Sequence, residues 1–155
     1  MNLYLVQHAE PKKEEEDPQR PLSDKGWSEI RKVSAFVSEH ANVQIRTILH
    51  SGKTRAQQTA EALAERLNPP GGIAQAEGLE PLADPAGWVK RLAETKGDVM
   101  LVGHLPHFGK LSAYLLCQDE TKKIVDFQMG GIVSLRRDES GVWSIQWVLA
   151  PHMIS

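Results

Sequence analysis

Cysteine is almost absent from the chain: Cys117 is the only one in 155 residues, which excludes an intramolecular disulfide and any cysteine-built zinc site. It follows Leu115 and Leu116, where a small thiol is expected to pack as an apolar group. No stretch approaches the ~18 apolar residues of a membrane span. The opening MNLYLVQHAE has neither the basic start nor the long apolar run of a signal peptide. A cytoplasmic chain without membrane contact is expected. Neither sign of charge prevails: 18 Lys plus Arg against 20 Asp plus Glu leave −2. No global field is therefore available to hold nucleic acid or an acidic membrane. Internal repeats and linkers are missing too. At about 150 residues per domain the chain reads as one domain over residues 1–155, with the 41% hydrophobic and 25% charged content of an ordinary globular fold.

Two further absences narrow the chemistry. Ser51-Gly52-Lys53-Thr54 imitates the end of a phosphate-binding loop, but the glycine that should open that motif falls at Thr47, inside an expected strand. His8 with Glu10, and His104 with His107, lack the i, i+4 spacing or the Cys/His quartet of a metal site. Neither a metal nor another cofactor is expected.

What is present is an alternation of apolar periods. Leu3, Tyr4, Leu5 and Val6 form a run without polar alternation, the signature of a strand covered on both faces; residues 2–7 are the first expected strand. Residues 10–21 hold prolines and many charges and read as a loop. Ser23 then precedes Trp27, Ile30, Val33 and Val37, an amphipathic helix to about His40. A strand is expected over 45–50. A second helix follows from Thr54, whose hydroxyl is expected to cap it together with Gln57, with Ala56, Ala60, Leu63 and Leu67 as its buried stripe. Shorter signals give a strand at 73–76 and a helix at 85–95. The run 99–102 is a buried strand, and Phe108, Leu111 and Leu115 mark a helix to about Cys117. Strands at 131–137 and 142–149 close the chain through a turn at 138–141, with Trp143, Ile145, Trp147 and Leu149 alternating on one face. This order predicts an α/β fold, a three-layer α/β/α sandwich with a mostly parallel central sheet and an antiparallel C-terminal hairpin.

In such sheets ligands bind beyond the carboxyl ends of the strands. His8 stands just past the first strand, Arg55 opens the helix after the second, and His104 follows Gly103 at the end of the strand around residue 101. One guanidinium and two imidazoles on one rim make an anion site suited to a phosphoryl group. Each has a plainer reading: His8 as a hydrogen-bonded strand-end histidine, Arg55 as a partner of Glu61, His104 as a cap for the helix after Pro106.

The same residues carry a resemblance. Leu3 through Glu10, with His8 in its middle, is similar to the Arg-His-Gly signature of the histidine phosphatase superfamily, which has the phosphoglycerate mutase-like fold. SGKTRAQQTAEAL from Ser51 to Leu63 resembles its second motif, and Leu101-Val102-Gly103-His104-Leu105-Pro106 its third. Arg20-Pro21-Leu22-Ser23-Asp24-Lys25-Gly26 resembles an element of the small SixA-type branch, the phosphohistidine phosphatases. The resemblance implies a phosphatase in which His8 is the nucleophile, Arg55 a phosphate clamp and His104 a second pocket imidazole. Its implied substrate is phosphohistidine on a protein, reached through an open pocket and hydrolysed by way of phospho-His8. Glu80 is the candidate acid, with Glu77 and Asp84 as alternatives in the same stretch.

The chain departs from the signature at three places. Gln7 stands where arginine is expected and offers amide hydrogen bonds without charge; Arg20 is the candidate replacement cation. Ala9 stands for glycine. Gly52 stands for a common proline, which is expected to loosen the turn before Arg55. Two other readings remain: a small-molecule phosphomonoesterase, and a phosphate-binding module with little turnover because of Gln7. Oligomeric state is left open by the sequence.

Overall fold

In the computed structural model, which describes residues 1–155, the run at residues 3–6 lies in β1 (Asn2–Gln7) and serves two separate cores. Tyr4 and Val6 face one, Leu3 and Leu5 the other. That is why no polar residue interrupts the run. The first core is closed by α1 (Asp24–His40) and α2 (Thr54–Leu67), through Ile30, Val33, Val37, Ala56, Ala60 and Leu63. The second is closed by α3 (Ala86–Glu94) and α4 (His107–Cys117), through Trp88, Leu92, Phe108, Leu111 and Leu115. Each fully buried aliphatic side chain stabilises by roughly 1.5–3 kcal/mol, so both faces of the sheet hold helices firmly.

The sheet adds β2 (Ile48–His50), β3 (Ile73–Gln75), β4 (Val99–Gly103), β5 (Ile132–Arg137) and β6 (Trp143–Leu149) in the order β3-β2-β4-β1-β5-β6. The first four in that order run parallel and the last two antiparallel. This is the expected three-layer sandwich with an antiparallel C-terminal hairpin. No helix is long and apolar enough to cross a membrane.

Four local expectations are corrected. Only Ile48 to His50 pair with neighbouring strands, so β2 is shorter than 45–50, although Ile45 is buried. Thr54 does not cap α2. Lys53 occupies the cap in an extended conformation, Thr54 is already helical, and the Gln57 amide binds Glu61 instead. Cys117 is exposed, because it lies two residues beyond Leu115 and thus on the opposite side of α4. The alternation in β6 breaks at a bulge: Ser134 pairs with Trp147 but Leu135 pairs with Ile145. The extra residue, Gln146, reverses the facing of everything before it. Trp147 therefore packs on the first core and Trp143 on the second.

The loop between β1 and α1 is tied down at its end. Ser23 caps α1 by accepting from the Gly26 N–H at 3.0 Å, and its hydroxyl donates to the Glu10 carboxylate at 2.7 Å. The Leu22 N–H donates to Gln58 of α2 at 2.7 Å. Gly26 lies flat against Glu10, so that a Cβ there would overlap the Glu10 carbonyl oxygen. A backbone obstacle cannot rotate away. Gly26→Ala is expected to destabilise the protein by about 1–3 kcal/mol, read from urea unfolding midpoints; an unchanged midpoint would show that the loop yields without loss.

Candidate functional site

Strand register builds the rim. β4 lies between β2 and β1, with Gln7 opposite Gly103 and His50 opposite Val102. The next residue on each strand, His8, His104 and Ser51, therefore leaves the sheet at nearly the same level. The His8 N–H donates to the Gly103 carbonyl at 3.0 Å and extends the ladder by one step. Gly103 is required here, since a Cβ would sit 2.7 Å from the Phe108 ring. The His8 and His104 rings come to 5.0 Å between centroids, at 50°.

Each imidazole is held by one nitrogen. His8 Nδ1 lies 2.8 Å from the Ala9 carbonyl oxygen, which can only accept. Nδ1 thus carries the proton and Nε2 keeps its lone pair. His104 Nε2 lies 2.6 Å from the Ser51 hydroxyl. With that hydroxyl donating, the ring proton sits on His104 Nδ1, which is buried and has no partner in the protein. Burial first, and then the charges of Arg55 and Arg20, hold His8 at about 4 against the opposing Ala9 hydrogen bond. Burial and its cationic neighbours hold His104 at about 3. Both rings are neutral at neutral pH.

Three cations surround the pair. Arg55 stands in the first turn of α2, half-buried, and its Nε has no partner. Burial and then the Arg20 charge press its pKa down. Arg20, on the loop between β1 and α1, donates from Nε to the Lys12 carbonyl at 3.4 Å, and its charge acts on both His8 and Arg55. Its backbone is left-handed at φ 48, an unusual state for arginine. Lys53 adds a third charge near His104. None of the three meets a carboxylate within ion-pair distance. Arg55 does not pair with Glu61.

The remaining candidates divide. Gln7 is buried beside His8, with its Oε1 lacking a partner. Glu80 and Asp84 are exposed but lie close enough to affect His107, whereas Glu77 does not; Asp84 accepts from the Ala86 N–H. Glu10 is engaged by Ser23 and Lys25. Ala9 has no positive φ, so the missing glycine costs nothing there. The Gly52 turn is tighter than expected. At φ +91, which no proline can adopt, its N–H donates to His50 Nδ1 at 3.1 Å.

The sequence reading missed three contributors. Ser51, Lys53 and Thr59 all lie inside the segment matched to the second motif. Thr59 Oγ1 accepts from the Ala9 N–H at 2.9 Å and donates to the Arg55 carbonyl at 2.7 Å, which ties the end of β1 to α2. A polar residue at a buried helix position, one turn after Arg55, was the available signal. His8 and His104 are themselves only 8% and 1% exposed, so the mouth is narrower at its floor than an open pocket suggests.

Comparison with known proteins gives the family and the fold. The family model described as histidine phosphatase superfamily (branch 1) matches residues 3–81. The chain is 30% identical to the phosphohistidine phosphatase SixA of Escherichia coli (strain K12), across 97% of this chain and 94% of that protein. The structure of the protein histidine phosphatase SixA complexed with tungstate superposes with a TM-score of 0.84 at 27% identity, covering 99% of both chains. An alpha-ribazole phosphatase from Shigella flexneri shares the fold at a TM-score of 0.77 and 14% identity, covering 97% of both.

The neutral histidines make stability depend on pH. An unfolded histidine takes its proton near the model value of 6.5, while the native rings take theirs only near 4 for His8 and 3 for His104. Between these values the unfolded chain binds more protons, so stability falls as pH drops from 6.5 toward 3. His8 alone is expected to contribute a loss of roughly 3 kcal/mol. Urea midpoints at pH 7, 5 and 4 measure it; a midpoint in His8→Ala that falls as steeply as in the wild type would exclude this origin.

Proposed function

The chain belongs to the histidine phosphatase superfamily, and from that premise we propose that it hydrolyses phosphohistidine on a protein, without a metal, through a phospho-His8 intermediate. The observation that carries this reading is the Nδ1–Ala9 hydrogen bond, which leaves Nε2 unprotonated in a site where Arg55 and Arg20 have no carboxylate partner. Such a nitrogen attacks phosphorus in line while Arg55, Arg20 and the His104 N–H neutralise charge on the equatorial oxygens. Water then hydrolyses the phospho-His8 bond. The cations supply the charge that a metal supplies elsewhere. The names of the relatives support the substrate class, and tungstate bound to SixA is the tetrahedral oxyanion such a pocket holds.

Glu80, exposed on the loop before α3, is the carboxylate we propose for the leaving group. A phosphohistidine demands less of it than an alkyl phosphate, because an imidazole can be protonated before it leaves. Gln7 acts as a neutral donor. Its Oε1 is buried without a partner, whereas Nε2 is the end of the amide left available to a phosphoryl oxygen.

The first test is phosphate release from a phosphohistidine-bearing protein, with a chelator present. Release by the wild type, at least about 10³-fold lower in His8→Ala, is expected. Release that survives His8→Ala overturns the mechanism; phosphate binding with no release makes the chain a binding module. In the same assay Gln7→Arg should raise turnover about 10- to 100-fold, and Arg20→Ala should weaken inorganic phosphate binding about tenfold. Unchanged affinity removes Arg20 from the site.

A further inference from the structure

β6 ends the sheet, and its outer edge is bare. The strand pairs with β5 on one side, and no loop or side chain hydrogen-bonds its backbone on the other. Edge strands are ordinarily guarded by charges, proline or a covering segment. The seven residues WSIQWVL hold neither a charge nor a proline. Along this edge Val142, Ile145 and Val148 are 60%, 42% and 41% exposed. Unpaired backbone groups flanked by apolar side chains are a template for another strand.

The bulge decides which strand fits. In a regular strand neighbouring residues face opposite ways, but the extra residue Gln146 changes the count across it. Trp143, Ile145 and Val148 all lie on the side of the second core, since Ile145 stands opposite Leu135 and Val148 opposite Val133. Trp147 and Leu149 lie on the side of the first core, and Ser144 joins them by alternation. Two copies of β6 laid antiparallel, with a twofold axis at the bulge, therefore meet face to matching face. Trp143 comes opposite Val148 of the second copy, Ser144 opposite Trp147, and the two Ile145 side chains stand beside the axis. A bulge elsewhere would twist the edge away from a partner; on the axis it bends both copies at the same step.

The surroundings continue the match. One step further Val142 comes opposite Leu149 of the second copy, where a groove of about 420 Å³ opens between α1 and β6, lined by Tyr4, Phe36, Val43 and Trp147. Beyond it the exposed Glu139 reaches the exposed His152 of the second copy, and there Lys32 donates to the Ile154 carbonyl at 3.2 Å. Neither Glu139 nor Lys32 has an ion-pair partner in its own chain. An acidic turn would thus meet a basic end at both extremes of the pair. Self-complementarity of this kind is what a twofold contact between identical chains requires.

We propose that the chain forms a twofold dimer in which β6 pairs antiparallel with β6 of a second copy, joining two six-stranded sheets into one. Val142 of each copy enters the groove of the other. β1 lies two strands in from β6, so both phosphoryl rims stay open. The contact does not depend on the phosphatase reading.

Sedimentation equilibrium across about 1–100 µM protein tests it. A mass rising toward twice that of the chain is expected, and Ile145→Lys, which sets two like charges together at the axis, should weaken the dimer at least about 10²-fold. Ile145 is exposed, so the variant keeps its fold, which an unchanged far-UV spectrum checks. In a Cys117→Ser background, Ile145→Cys should join two chains by a disulfide under mild oxidation, whereas Ser140→Cys, far from the axis, should not. A monomer at every concentration overturns the proposal. So does a dimer that Ile145→Lys leaves intact, or one that cross-links through residue 140 and not through 145.

Discussion

The level ending of three parallel strands is the constraint on which the rest depends. Because β1 pairs with β4 in a register that places Gln7 opposite Gly103, the chain must deliver His8 and His104 side by side. A slip of one residue would turn Tyr4 and Val6 away from the first core and exchange them with Leu3 and Leu5. Those side chains are nearly all wholly buried, so the register is held by the full apolar burial of both layers. The polar rim inherits its precision from the apolar middle of the sheet. Thr59 extends that precision to α2, since its single hydroxyl fixes both the Ala9 N–H and the Arg55 carbonyl.

The rim is electrostatically unfinished. Two neutral imidazoles, three cations without carboxylate partners, and buried orphan atoms on Gln7, Arg55 and His104 together disfavour the empty site. Like charges held together in a partly dry pocket raise the free energy of the native state, and a tetrahedral anion is the ligand that would relieve all of these strains at once. The features that make the site unstable when empty are the ones that would bind charge developing on phosphorus. Burial acts on His8 in the same sense: the desolvation that makes a charge on the ring unfavourable keeps its Nε2 lone pair available at neutral pH.

The fold was legible in the sequence because its signals are periods. Unbroken apolar runs marked β1 and β4, and three-to-four-residue spacing marked α1, α2 and α4. What escaped depended on contacts that no period encodes. The bulge at Gln146 leaves the alternation of β6 looking intact while sending Trp143 and Trp147 to opposite cores. Thr54 looks like a cap, yet the helix starts one residue earlier than its hydroxyl could serve. At the site, His8, Arg55 and His104 could be grouped because strand ends converge by topology. Ser51 could not, since its role rests on a single hydrogen bond across 53 residues of sequence, and Thr59 offered no more than a polar residue at a buried helix position.

The three departures from the family signature form a connected set. Ala9 needs no positive φ, and its methyl packs against Gly130, whose N–H reaches the carbonyls of Gln7 and His8. The strand end is therefore closed from that side, and the signature glycine has no conformational task left to perform. Gly52 accepts a left-handed turn in which its own N–H binds His50, a bond that proline could not make. That turn sets the start of α2, and hence where Arg55 and Lys53 stand. With Gln7 uncharged, the positive charge is moved outward from the strand to side chains on the rim: Arg20 on its left-handed loop, and Lys53 at the helix start. The charge that acts on His8 and His104 thus comes from Arg20, Lys53 and Arg55, all outside the strand, and Gln7 adds only an amide.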